Sequence, residues 1–498
     1  MTQRLNYDYI LETNVRGKPY ITVSAKGIAN GLSDIPNDGA DFGPDTPGTQ
    51  TSGIQEAYNY GKIKYNNNWD SVFTIVLGEG IFILNADVNI SIGQSATDKS
   101  RPQAVNIIGQ GSRSTQILIN QPNLNGIVIS NPNSDYAVED TYLAYFSIDI
   151  SYIGSPPYNT TSWGSTIINN VASNPTGSGA NSMIAYFYYG YGGQGTTLNL
   201  IGVHFFTGNT KNGYGPTNGG LYVWGDVNVV AIDTILVGDR AFALIGSNTP
   251  LEGGSSNYDP NLFATFIGCY VGYSPNVYIT GYLASFKDSN IIATINLNYN
   301  SATVGLTTNV TIEDSTVNPY NSLFNLTNAT VNFIKINGIN LISEPSFTGT
   351  TPTAIFTSTS AVTAGLLDMR NVANTSNISN FANNVSFSEY IFEGIQTVSG
   401  TALTLPTQSS INGTTAGTVK MDVVIYRASY KKYIITFSGY ENNTATNQTI
   451  NYPLPFSSYA IITGNNTGLT ITASTTGITI TSPNSTTTYS GIVIVEGY

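Results

Sequence analysis

Asp226, Asp233 and Asp239 lie close together in the sequence, with Arg240 beside the last of them and Glu252 and Asp259 following. Carboxylates in such a set are the side chains that hydrolyse glycosidic bonds. Two are needed, roughly 5 Å apart for retention or roughly 6.5–9.5 Å apart for inversion. Members of this set meet only if the fold stacks one strand on the next. The same residues also suit a plainer role, because Asp favours corners and Asx-turns. His204 is the sole histidine and sits in GVHFF, with no Ser or Cys partner motif beside it. The sequence contains no phosphate-binding loop, zinc pattern or nucleophile elbow. The single cysteine, Cys269, lies in the apolar run LFATFIGCYVG and reads as an inert buried thiol. No metal and no cofactor are expected.

Aromatic loops are the stronger binding signal. AYFYYGYGG (185–193) and NGYGPTNGGLYVWG (212–225) carry Tyr188, Tyr189, Tyr191, Tyr214, Tyr222 and Trp224, and a third aromatic stretch spans 270–282. Aromatic faces beside Asn and Gln donors suit uncharged glycans, since they combine apolar area with polar tips. The alternative is that these rings pack within their own loops or at a subunit interface.

The elements that must position these groups are β structure. Charged residues make up 10% of the 498-residue chain, against about a quarter in ordinary globular proteins. Polarity comes instead from Asn, Thr, Ser and Gly, with 33 Tyr and 50 Gly. Tyr, Thr, Val and Ile favour pleated surfaces, while Gly and Asn favour turns. The net charge of −12 and the lack of a dense basic run disfavour nucleic acid as a partner. The first twenty residues show no apolar core of signal-peptide length, and no later run approaches a membrane span. A soluble chain without membrane insertion is expected.

Short apolar runs punctuated by Gly, Asn, Pro and Ser follow one another from 39 to about 392. NLIGVHFF (199–206), VNVVAIDTILVG (227–238), LFATFIGCYVG (262–272), NVTIEDSTV (309–317) and VNFIKINGINLI (331–342) share one grammar: alternating aliphatics, then a small or polar corner. Their starts recur at roughly 20–35 residues, the range of a solenoid coil. Helical periodicity is nearly absent after about residue 61. A Thr/Ser/Gly-rich linker at 399–417 precedes a last unit whose runs alternate at period 2, the pattern of a small antiparallel β-sandwich.

The opening stretch, 39–120, runs GADFGPDTPGTQTSGIQEAYNYGK, then FTIVLGEGIFILNADVNI, then AVNIIGQGSRSTQILI. It resembles the start of the pectate-lyase-like right-handed β-helix proteins, where an acidic loop precedes a capping helix and the first coils. The family's adjacent Asp pair is spread out here as Asp41 and Asp45, and Asp41, Asp45 and Thr46 are expected to serve the loop rather than catalysis. A lyase reaction in this family calls for calcium-binding Asp clusters, and no two Asp are adjacent anywhere in the chain. The final unit carries SYKKYIITFSGYEN (429–442), INYPLPFS (450–457), NNTGLTITASTTGITI (465–480) and YSGIVIVEGY (489–498). It resembles a C-terminal β domain of phage and virus tail fibres.

Together these imply an all-β chain. Residues 1–38 form a leader for attachment to other virion proteins, 39–398 a right-handed parallel β-helix shaft with a short capping helix, 399–417 a linker, and 418–498 an antiparallel β-sandwich for receptor binding or trimerisation. The resemblance further implies a homotrimer, located on the virion or outside the cell. It would attach, as a tail fibre or tailspike, to a host-surface glycan or glycoprotein. A glycan depolymerase using Asp226, Asp233 and Asp239 is the alternative, and a cell-surface adhesion protein a further one.

Overall fold

The computed structural model describes residues 19–25, 40–65, 71–94, 99–120, 124–131, 138–150, 183–188, 196–206, 219–237, 240–246, 262–298, 306–342, 352, 354–374, 378, 380–393, 396–397, 417–427, 430–440, 447–451, 459–463, 470–481 and 488–497. The chain forms two compact units, Met1–Thr308 and Asn309–Tyr498. The expected linker at 399–417 lies outside the described residues apart from Gly417.

In the N-terminal unit each strand pairs in parallel with the strand one coil later, and the pairings sort into three ladders. The first runs from Tyr20–Val23 through Val72–Leu77, Ala104–Ile108, Thr141–Ala144, Thr196–Ile201, Val227–Ile232 and Phe263–Ile267 to Leu283–Lys287. The second starts at Gly80–Leu84 and includes Thr115–Ile119, Ser147–Ile150, His204–Phe206 and Ile235–Val237. The third starts at Val88–Ser91 and includes Ile127–Asn131, Ile184–Tyr188, Gly219–Gly225 and Arg240–Ile245. Strand Tyr270–Thr280 serves two ladders, 270–272 in the second and 278–280 in the third. This is the pairing of a parallel β-solenoid.

Alternation in the sequence becomes columns in the interior, because every second residue of a strand faces inward. Ile75, Ile107, Leu143, Leu200, Ala231, Phe266 and Phe286 are register partners in turn, and all are fully buried. Phe82, Ile117, Ile148, Phe205 and Leu236 form the equivalent column of the second ladder. Ile129, Tyr186, Val223, Leu244 and Ile279 do so in the third. Phe242 of the third ladder stacks on Phe266 of the first at 4.9 Å, and Phe266 on Phe286 at 4.6 Å, so the walls meet across a shared core.

The first coil is closed by the helix Ile54–Tyr65. Ile54, Ala57, Tyr58 and Gly61 face inward, and a Cβ at Gly61 would stand 2.5 Å from the Phe73 ring, so only glycine lets the helix sit this low. Three side chains, Ser52 just ahead of the helix and Gln55 and Tyr58 on it, pair with the open strand edges. Ser52 Oγ donates to the Ile83 carbonyl (3.0 Å) and accepts from its N–H (2.8 Å). The Gln55 amide donates to Asn89 O (3.1 Å) and accepts from Asn89 N (2.7 Å), and the Tyr58 hydroxyl does the same at Ser91 (2.8 and 3.0 Å). Asp41 Oδ2 accepts from both the N–H and the hydroxyl of Thr22, each at 2.9 Å, sealing the edge of Tyr20–Val23. Thr46 Oγ1 accepts from Gly43 N (3.0 Å), which gives these opening-loop residues structural work. At the helix start Thr49 and Thr51 both donate to Glu56 Oε2, at 2.8 and 3.2 Å, while Thr51 Oγ1 accepts from Gln55 N.

The C-terminal unit repeats the three-ladder pattern. Asn309–Glu313 pairs with Phe333–Asn337, which pairs with 366–370, which pairs with 389–393. Phe324 stacks on Phe356 at 5.6 Å, and Phe381 and Phe387 pack on Phe356 at 5.2 and 5.1 Å. Parallel pairing then ends: 391–393 pair antiparallel with 423–425 of Gly417–Arg427. Gly417–Arg427, Tyr430–Tyr440, Thr488–Gly497 and Tyr459–Thr463 continue antiparallel, and Asn447–Asn451, Gly477–Thr481 and Thr470–Ala473 make a separate antiparallel sheet. Lys432 pairs with Glu496 at 3.4 Å, joining Tyr430–Tyr440 and Thr488–Gly497 across the sheet.

Tyr58→Phe leaves both backbone groups of Ser91 without their hydroxyl partner and is expected to lower stability by about 1–3 kcal/mol, read as a shift in the urea midpoint. Combining it with Ser52→Ala and Gln55→Ala exposes the strand edges, so sedimentation velocity should show concentration-dependent association.

Candidate functional site

Asp233 follows strand Val227–Ile232 at a tight corner with φ 48°. Successive coils turn at the same point through Tyr145 (φ 59°), Gly202 (φ 60°), Asp233, Gly268 (φ 63°) and Asp288 (φ 50°). The corner needs a left-handed residue, and Asp and Gly tolerate that conformation better than most. Asp233 is thus placed by turn chemistry, and its exposed carboxylate fills the space that glycine leaves on the next coil. A Cβ at Gly268 would lie 2.7 Å from Asp233 Oδ1.

Asp226 is half-buried at the other end of the same strand, after Gly225. Seven residues of extended chain separate it from Asp233 by roughly 23 Å, far beyond either glycosidase spacing. The structure therefore does not bring these two carboxylates together. Asp239, Glu252 and Asp259 lie outside the described residues. The carboxylates that do share a corner column are Asp233 and Asp288, two strand spacings or about 10 Å apart. Both are exposed, whereas a glycosidase's acid relies on a secluded, apolar setting.

Tyr222 and Trp224 stand on the outward face of the third ladder, opposite in sense to inward-facing Leu221 and Val223. Tyr222 partners Ala185 and Ala243 in register, and Trp224 partners Ile245. The face is covered: Tyr222 is 1% exposed and Trp224 8%, clustered with Val128, Ala185, Ala243 and Ile245, with Tyr278 packed against them. Neither ring presents an open face to a sugar. Tyr188 is in register with Asn131 and Gly225. Tyr189, Tyr191 and Tyr214 lie outside the described residues.

Cys269 is buried, and its thiol donates to the carbonyls of Ala231 (3.3 Å) and Ile267 (3.5 Å). Burial pushes its pKa up to about 12, so the thiol stays protonated at neutral pH. His204 was without a sequence neighbour to work with, but the fold gives it one. Its Nε2 lies 3.3 Å from Ser112 Oγ, a residue 92 positions earlier in the chain. Burial, then the nearby Arg113 guanidinium, lowers the His204 pKa, which favours the neutral ring. Sequence spacing held no signal for this pair, since only the stacking of coils brings the 109–115 loop to strand His204–Phe206.

Among the described residues no group of three or more His, Cys, Asp or Glu is placed to hold a metal ion. Among them, too, no helix is long and apolar enough to cross a membrane.

No protein-family model matches the chain, and no curated protein matches it. Among solved structures it is similar to ORF18 of Geobacillus virus E2, at 13% identity over 98% of this chain and 77% of that one, with a TM-score of 0.37.

Two measurements check these placements. Gly268→Ala forces a left-handed alanine against the Asp233 carboxylate and is expected to destabilise by about 1–2 kcal/mol or more. Added to Asp233→Ala it should cost less, a non-additivity visible in a double-mutant cycle. Because a raised pKa keeps the thiol protonated from neutral pH up to about 12, iodoacetamide at pH 8 should leave Cys269 unmodified in the native protein and alkylate it rapidly in denaturant.

Proposed function

We propose that this chain is a virion fibre or spike protein that attaches the particle to a host surface through glycans. The observation that carries this reading is the terminal unit, 418–498, whose motifs resemble those of tail-fibre domains. Within it Lys431–Tyr433 lie beside Val495–Gly497, tied by Lys432 and Glu496. The parallel solenoid supports it from the other direction. A capped stack of coils is a stiff scaffold with little surface demanded by chemistry, as a shaft requires. We take the coil as right-handed, the hand of about 98% of parallel crossovers, and the terminal strands as a sandwich.

In this reading residues 1–38 engage other virion proteins and three copies assemble as a homotrimer. Glycan contacts of modest strength are then multiplied by avidity. Tyr188, Tyr189, Tyr191 and Tyr214 are the aromatic candidates for contact. A depolymerase is the second reading, and it draws on one observation, the shared column of Asp233 and Asp288.

The full-length chain is expected to sediment as a trimer and to bind host cells or a glycan array, and deletion of 418–498 should abolish binding. A monomer that binds neither, or a truncated chain that binds as well as the full one, overturns the fibre reading. Release of reducing sugar from host envelope, lost in Asp233→Ala or Asp288→Ala, would establish the depolymerase instead.

A further inference from the structure

We propose that Ser112 and His204 form an acyl-ester hydrolysis site on the outer wall of the N-terminal unit, independent of the attachment role. Ser112 sits at the tip of a loop that is held at both feet. Gly109 N donates to Ala144 O (2.9 Å) and Gly111 N to Tyr145 O (2.8 Å). Gln110 N donates to Thr115 Oγ1 (2.9 Å), and Thr115 Oγ1 to Gly78 O (2.9 Å). Gly111 O accepts from both Ser114 N (3.0 Å) and Thr115 N (2.8 Å), which closes the turn beneath Ser112. The loop is thereby fixed against the next coil, with its tip over the strand that carries His204.

His204 projects outward because Val203 and Phe205, its neighbours on either side, are fully buried. Its Nε2 is 3.3 Å from Ser112 Oγ, and both side chains are partly exposed, so the pair is fixed and open to a ligand. That distance is long for a hydrogen bond, as nucleophile–base contacts often are before substrate binds. Asp149 stands on the same outward face, in register with Phe206 and so two residues along from the position that faces His204.

Among the described residues the amide N–H groups of Ser112 and Arg113 have no protein acceptor, so both are available to an oxyanion formed at Ser112. The exposed Arg113 guanidinium beside them favours an ester borne on an anionic carrier.

The chemistry balances without any other reactant than water. Ser112 Oγ bonds to the ester carbonyl carbon as its proton passes to His204 Nε2. The tetrahedral oxyanion is met by the two amides. Collapse breaks the bond to the alcohol, which leaves with the proton from His204. Water then attacks the acyl-serine, giving a proton to His204. Release of the carboxylic acid returns that proton to Ser112 Oγ.

The test uses the full-length protein with a fluorophosphonate probe and with p-nitrophenyl acetate. The expected result is a single covalent adduct that peptide mapping assigns to Ser112. Ester hydrolysis should fall by about 10²-fold or more in Ser112→Ala and in His204→Gln, while Ser114→Ala hydrolyses as the wild type does. Thermal melts of the variants separate loss of chemistry from loss of fold, and labelling of the wild type decides even if a variant misfolds. Absence of an adduct at Ser112, or a folded Ser112→Ala that hydrolyses at the wild-type rate, overturns the proposal.

Discussion

An open stack of parallel coils ends in strands whose N–H and C=O groups face nothing, and the N-terminal unit depends on satisfying them. Left bare, such an edge is a template for another chain. Here the chain closes it with side chains that imitate a neighbouring strand. Ser52, Gln55 and Tyr58 each offer a donor and an acceptor to one residue of the edge, at the backbone of Ile83, Asn89 and Ser91. Gln55 and Tyr58 lie three residues apart along one face of the helix, and Ser52 stands just ahead of its first turn. The helix itself, IQEAYNYGKIKY, includes a glycine and three aromatics and is short for independent stability. Docking makes it a helix, and the helix makes the first coil stable.

The second constraint is the corner. Each coil must turn between the first and second ladders, and one left-handed residue does it. Side chains and glycines share that column by turns, because the side chain on one coil leans into the next. Tyr145 approaches the position of a Gly202 Cβ at 3.1 Å, and Asp233 that of Gly268 at 2.7 Å. The C-terminal unit follows the same rule by itself: Asp314 reaches into the space at Gly338, and Asn371 on the coil after that bonds to Asn337 at 3.0 Å. Residue choice at the corners thus answers to backbone conformation and to the coil above.

Much of this was legible in the sequence, for a physical reason. Alternating aliphatics become inward columns whatever the loops do, so VNVVAIDTILVG and VNFIKINGINLI reveal their strands directly. Each run also contains its corner, Asp233 in one and Gly338 in the other. The terminal strands follow their period-2 runs closely for the same reason. What lay beyond reach was everything set by the third dimension. The alternation in LYVWG places Tyr222 and Trp224 on the outward face, but no pattern tells whether that face is covered. Nor does anything near His204 in the sequence point to Ser112.

These limits bear on how chemistry should be sought in such a fold. Inward positions are committed to packing, so reactive groups are confined to corners, loops and outward faces. Corners select Asp, Asn and Gly for their backbone tolerance, and a long solenoid therefore accumulates carboxylates that look like an acid cluster when read linearly. Asp226 and Asp233 are such residues, at opposite ends of one strand. A contact between different side-chain types across coils is another matter, since neither the corner nor the core requires it. Ser112 meeting His204 over a braced loop is of that kind, which makes it more informative about chemistry than any count of acids along the chain.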